Sequence, residues 1–168
     1  MIKAFIIATT TADGFIAKTA DQISTSWSSK EDRKHFVEMT KKAGVIVMGS
    51  TTFKTLPFPL KERVNIVYSR SRQFEGAEVT TDEPAELLRK LEERGFTEVA
   101  ICGGSEIYTK FIEAGVVSKM YITVEPVIFG KGISLFNKHV SSNLKLVSTR
   151  STESGSVFNE YDIVEATE

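Results

Sequence analysis

The alternation of short apolar runs with helical stretches limits this chain to few folds. Runs rich in β-branched residues recur at Ile2–Ala8, Val45–Met48, Val64–Tyr68, Val99–Cys102, Met120–Val124, Leu144–Val147 and Val157–Val164, and their length and composition are those of strands. Two stretches between them carry a helical period, Lys30–Lys42 and Ala85–Arg94, stopped at Gly44 and Gly95; a shorter third runs from Ser105 to Glu113, before Gly115. Strands that alternate with helices pair in parallel, and strands that follow one another directly pair antiparallel. The expected fold is therefore α/β: one domain over residues 1–168, with a mixed, mostly parallel central sheet flanked by helices and an antiparallel carboxyl-terminal end. Thr10–Ser28 reads as a long loop, a class that is usually functional or disordered.

Bulk properties narrow the function. With 168 residues, 41% hydrophobic and 26% charged, the chain has the makings of one soluble core. A net charge of -1 gives no basic field to draw it onto nucleic acid. Its one cysteine, Cys102, has no internal disulfide partner and no Cys or His neighbour at metal-site spacing. A reducing, cytoplasmic setting without a bound metal is expected. No run reaches about 18 apolar residues, so no membrane helix is expected. Met1–Ile7 lacks the basic start and small-residue cleavage site of a leader and reads as the first strand. His35 and His139 are assigned no catalytic role.

One helix carries a carboxylate on its apolar side. At about 100° per residue, Asp32 shares a stripe with Phe36, Met39 and Ala43, while Lys30, Lys34 and Lys41 face the other way. Asp32 can serve as the third helical residue behind an N-cap at Ser29, answering backbone donors and the helix dipole. Equally, it can be a desolvated anchor for a flat heterocycle that offers ring N–H and amino groups. Trp27, the only tryptophan, stands where the long loop meets this helix, either as ordinary packing or as a cover for the pocket.

Two strand-to-helix turns are rich in glycine. In Cys102-Gly103-Gly104-Ser105-Glu106-Ile107-Tyr108, the glycine pair lets an anion approach the backbone and the N–H groups of the next helix. The spacing is not the G-x-G-x-x-G of the common dinucleotide fold, and a tight turn alone would look the same. Val47-Met48-Gly49-Ser50-Thr51-Thr52-Phe53 repeats the pattern with hydroxyl residues able to cap a short helix. Side by side at the carboxyl ends of neighbouring strands, the two turns would hold one extended dinucleotide.

Taken in order, these segments resemble the dihydrofolate reductase family over nearly the whole chain. Trp27, Asp32 and Phe36 are similar to the segment in which an acid grips the pterin. The Gly49 turn is similar to a cofactor turn of that family, and Pro59–Arg70 to the stretch after it, with Arg63 where an arginine holds the glutamate tail of folate. The paired glycines and Tyr108 resemble those beside the nicotinamide and pyrophosphate, and Thr123 falls where a threonine supports the acid. The resemblance implies an NADPH-dependent reductase. Its expected reaction is hydride transfer to C6 of 7,8-dihydrofolate with protonation at N5, yielding tetrahydrofolate for one-carbon metabolism. Implied catalytic residues are Asp32, Trp27 and Thr123. Implied substrate contacts are Ile7, Phe36, Leu56, Leu60 and Arg63. Implied cofactor contacts are Ala8, Ile16, Gly49, Ser50, Thr51, Thr52, Ser69, Arg70 and the segment Cys102, Gly103, Gly104, Ser105, Glu106, Ile107 and Tyr108.

Ser50 stands where many relatives have a base, leaving Arg70 and Arg72 for a 2′-phosphate, and Ser28-Ser29-Lys30 replaces a proline-containing stretch. Glu125–Phe136 resembles the sister family of riboflavin-pathway pyrimidine reductases, so a ribosylaminopyrimidine phosphate is the alternative substrate, with Arg63 and Lys61 as cations for it. A nucleotide-binding module without catalysis is the reading from another class. The implied partner is a small molecule, with no nucleic acid or membrane, and the protein is expected as a monomer or homodimer.

Overall fold

The computed structural model describes residues 1–164, so the last positions of the expected 1–168 domain lie outside the described residues. Strand β1 (Lys3–Thr11) is central, with β2 (Phe15–Ala17), helix α1 (Lys30–Ala43), β3 (Val45–Gly49), α2 (Ser50–Thr55), β4 (Val64–Tyr68) and β5 (Glu78–Thr80) following. Next come α3 (Pro84–Glu93), β6 (Glu98–Ile101), α4 (Ser105–Glu113), β7 (Val117–Glu125), β8 (Ile133–Ser134), β9 (Asn143–Ser151) and β10 (Val157–Val164). The main sheet has the order β5-β4-β3-β6-β1-β7-β10-β9; β2 pairs with β8 separately. Pairings from β5 through β7 are parallel, and β10 is antiparallel to both β7 and β9.

Both faces of the inner strands are covered, so these strands read as nearly continuous apolar runs. In β1, Ala4, Ile6 and Ala8 pack toward α3 and α4, beside Leu88, Leu91 and Phe111. Phe5 and Ile7 pack the other way, among Ala43, Met48 and Phe53 of the α1 and α2 side. Local signals set the helices. Ser29 Oγ accepts the Asp32 amide proton at the start of α1, Gly44 ends it at φ +79°, and Lys41 and Lys42 sit in its last turn, where the dipole favours cations. Pro84 opens α3 at the position that needs no N–H donor.

The sequence reading needs correction at the edges. The supposed loop Thr10–Ser28 contains the end of β1, all of β2 and a short 3₁₀ turn at Ser24–Ser26. β5 and β8 were not expected: each is two or three residues long, and the sheet partner alone makes it a strand. The run at Leu144–Val147 lies within a nine-residue strand exposed along its length, because among the described residues β9 is an edge strand paired with β10 alone. No helix of the described residues is long and apolar enough to cross a membrane.

Candidate active site

Neighbouring strands β3 and β6 send their chains to opposite faces of the sheet: α2 packs on the α1 side and α4 on the other. Such a divergence opens a crevice beyond the carboxyl ends of the strands. A cleft of about 970 Å³ lies there, running from Asp32 past both glycine turns to Arg70 and Arg72.

Asp32 forms part of the α1 wall, with only 5% of its surface exposed. Thr9 Oγ1 donates to Asp32 Oδ2 at 2.6 Å. Burial pushes the carboxyl above the ordinary range; the Thr9 and then the Thr123 hydroxyl oppose that rise, Glu125 adds to it, and Arg33 opposes it. Phe36 continues the wall one turn along, and Leu56 and Leu60, packed on the same apolar cluster, line the cleft with it. Arg63 also lines the cleft, where Nη1 donates to Thr40 Oγ1 at 2.9 Å and Nε to the Lys61 carbonyl at 2.8 Å. Thr40 is itself anchored to the Phe36 carbonyl at 2.7 Å, so the guanidinium has a fixed base and free N–H groups at its outer end.

The opposite wall is backbone. The Gly49 amide donates to the Gly103 carbonyl at 2.9 Å, joining the two turns. The Gly103–Gly104 peptide is cis, and Gly103 has φ +105°. A Cβ on Gly103 would lie 3.2 Å from the Tyr108 ring, one on Gly104 3.3 Å from Thr52 Oγ1, and one on Gly49 3.2 Å from Ile107. Tyr108 holds its position under the turn by donating to the Ile7 carbonyl at 2.7 Å, and burial pushes its hydroxyl far up. Ser105 Oγ, in the first turn of α4, is buried without a partner among the described residues. Burial likewise raises the Cys102 thiol, opposed by Arg63, so Cys102 lines the cleft in its neutral form.

Most residues named from sequence gather here. Asp32, Phe36, Leu56, Leu60 and Arg63 line one part of the cleft; Ile16, Gly49, Ser50, Thr51, Thr52, Ser69, Arg70 and all of Cys102–Tyr108 line the rest. Ile7, Ala8, Trp27 and Thr123 stand behind the lining. Ile7 and Ala8 are core residues on opposite faces of β1, and Thr123 is buried beneath Asp32. Trp27 packs edge-on against Phe129, ring centroids 5.2 Å apart, with its indole nitrogen buried and without a partner among the described residues. Lys61 lies outside the cleft over the Phe58 ring. His35 packs on Phe158 at 4.8 Å, away from the cleft.

Sequence reasoning missed Thr9, which gave no signal inside a strand ending in three threonines, and Lys54 and Lys110, helix-surface lysines that line the cleft.

A mixed sheet opened at a pair of glycines, with a buried acid across the gap, defines a dihydrofolate reductase-like fold. The sequence pattern of dihydrofolate reductase matches residues 3–166, and the chain belongs to that family. It is similar to the uncharacterized protein YyaP of Bacillus subtilis (strain 168), at 26% identity over 166 residues covering 88% of this chain and 87% of that protein. Its fold is similar to that of a putative riboflavin biosynthesis protein from Shewanella sp. PV-4, with TM-score 0.83, 18% identity and coverage of 98% of this chain and 100% of that one. It is also similar to that of dihydrofolate reductase from Enterococcus faecalis complexed with NADP(H) and RAB-propyl, with TM-score 0.79, 24% identity and 97% coverage of both chains.

Proposed function

We propose that the protein reduces 7,8-dihydrofolate to tetrahydrofolate with NADPH. The observation that carries this reading is Asp32, a carboxylate held at the edge of an apolar pocket by Thr9 and facing the cleft. A buried carboxylate is costly unless it meets donors, and a pterin offers a ring N–H beside an amino group.

The glycine wall suits a dinucleotide. A side chain at Gly49 would crowd Ile107 and one at Gly104 would crowd Thr52, so both turns keep bare backbone in the cleft lining, and Ser105 Oγ is a buried donor with no acceptor among the described residues. Arg70 and Arg72 at the far end suit a 2′-phosphate. When bound, the reduced nicotinamide supplies the hydride for C6. The chain's own residues do the rest: Gly103 and Gly104 admit the cofactor close to the backbone, and Phe36, Leu56 and Leu60 pack the substrate ring. Asp32 binds the pterin edge and polarises it for protonation at N5, and Arg63 pairs with a carboxylate of the tail.

The test follows consumption of NADPH with dihydrofolate. Asp32→Asn keeps the shape and loses the charge, so its rate should fall about 100-fold or more; full activity in that variant would remove Asp32 from the mechanism. Cofactor binding without turnover of any pterin would favour the non-catalytic module.

A second reading is a reductase acting on a ribosylaminopyrimidine phosphate. The likeness of Glu125–Phe136 to pyrimidine reductases supports it, as does the presence in the cleft of Lys54 and of Arg33, whose Nη1 donates to the Thr25 and Ser28 carbonyls, as cations for a sugar phosphate. Turnover of that intermediate in preference to dihydrofolate decides for it.

A further inference from the structure

Glu125 ends β7 with only 3% of its surface exposed. It pairs in register with Thr11 of β1, as Thr123 pairs with Thr9. Residues two apart on a strand share a face, so the row beneath Asp32, Thr9 beside Thr123, continues into Thr11 beside Glu125. Helix α1 runs over this row. Three helical residues advance about 4.5 Å and two strand residues about 6.6 Å, which sets Ser29 near Glu125 when Asp32 meets Thr9. Ser29 Oγ is 3.1 Å and Ser156 Oγ 2.8 Å from Glu125 Oε1, and the two hydroxyls are 2.7 Å apart. The same Ser29 oxygen accepts the Asp32 amide proton at 3.0 Å. Among the described residues no ion pair includes Glu125.

A buried acid without a cation is a poor way to stabilise a fold. We propose that Glu125 is a positioning residue for Asp32: through Ser29 and Ser156 it fixes the first turn of α1 over Thr9 and Thr123, with a second acidic group held beside the first. The inference rests on the reading of Asp32 as the carboxylate that grips the ligand. Its electrostatic part agrees with the direction in which Glu125 moves Asp32. Other ionisable groups near Asp32 are Arg33 on α1 and the Tyr108 hydroxyl on α4. Glu31 accepts from Ser154 at the surface.

The test is a carbon-13 carboxyl titration of the free protein, with the Asp32 resonance identified by its loss in Asp32→Asn. Glu125→Gln keeps an oxygen for Ser29 and Ser156 but removes the charge, and Glu125→Asp keeps the charge and shortens the reach. The Asp32 midpoint should move to lower pH in Glu125→Gln and remain near that of the unaltered protein in Glu125→Asp. A role confined to packing leaves it unmoved in Glu125→Gln, and that result overturns the proposal. If only Glu125→Asp folds, a midpoint that falls in it overturns the proposal equally, and a retained one supports it. The pH profile of dihydrofolate turnover should follow the same displacement. Absence of turnover in the unaltered protein would defeat the reductase reading while the titration still decides the coupling.

Discussion

On the α1 side of the cleft, Asp32, Phe36 and Arg63 reach the ligand space with side chains; along the opposite wall, the two turns at Gly49 and at Gly103 and Gly104 present backbone. The first wall can distinguish one ligand from another, because its charges and donors are placed individually. The second offers backbone, which suits a part common to all turnovers. The two walls should therefore fail differently. Loss of an α1-side group should change what is bound or turned over and spare the fold, whereas a side chain added to the glycine wall should disturb both.

The largest effect is expected at Gly103. Alanine there must adopt φ +105°, a region for glycine alone, with its Cβ 3.2 Å from a Tyr108 ring tethered to the Ile7 carbonyl. Backbone strain of this kind costs on the order of 1–3 kcal/mol. Gly103→Ala should unfold earlier in denaturant and bind NADPH about 100-fold more weakly, a loss equivalent to about 2.7 kcal/mol. Calorimetric titration reads the affinity. Binding within about threefold of the unaltered protein would put the dinucleotide elsewhere.

Arg63 sharpens the other half of the comparison. Its fork of charge-assisted hydrogen bonds to a carboxylate is worth roughly 1.5–3 kcal/mol, or about 10- to 100-fold in affinity. Arg63→Leu should weaken binding of a glutamylated folate by that factor and leave a tail-less pterin nearly unchanged. Thr40 keeps its bond to the Phe36 carbonyl in the variant, so the helix beneath is undisturbed. Equal loss for both ligands would mean that Arg63 supports the pocket and does not read the tail.

The walls also differed in how plainly the sequence announced them. Asp32 was visible because a helix repeats on a short scale: a charge on the stripe of Phe36, Met39 and Ala43 is out of place within two turns, and Ser29 and Gly44 mark the ends of the same helix. The glycine turns were visible because strand, glycine and helix follow one another directly. What lies around Asp32 was not. Thr9 meets it from 23 residues away, and Ser29 meets Glu125 across 96. Such contacts depend on how α1 lies over β1 and β7, and no local pattern specifies that placement. β5 was missed for a related reason, since Glu78, Val79 and Thr80 become a strand only when β4 lies alongside. Trp27 was open from sequence between ordinary packing and a cover for the pocket, and its ring packs edge-on against Phe129.

The smallest effect concerns stability and runs against the loss of activity expected for Asp32→Asn. Burial raises the folded-state pKa of this carboxyl, so the folded chain holds the proton to higher pH than the unfolded chain, whose value is about 3.9. Between those two values the folded state binds more protons, and stability falls as pH rises. Below about pH 3.9 both states are protonated and the penalty is absent; above the folded-state value it is present in full. Asparagine never ionises and still offers an oxygen to Thr9. Asp32→Asn should therefore be more stable than the unaltered protein at pH 7, by about 1 kcal/mol, seen as a Tm higher by about 2–4 °C. Its advantage should shrink as pH is lowered and vanish near pH 3.9. A variant less stable at pH 7 would mean that the charge holds the first turn of α1 in place, and the trade of stability for ligand binding on this wall would be refuted.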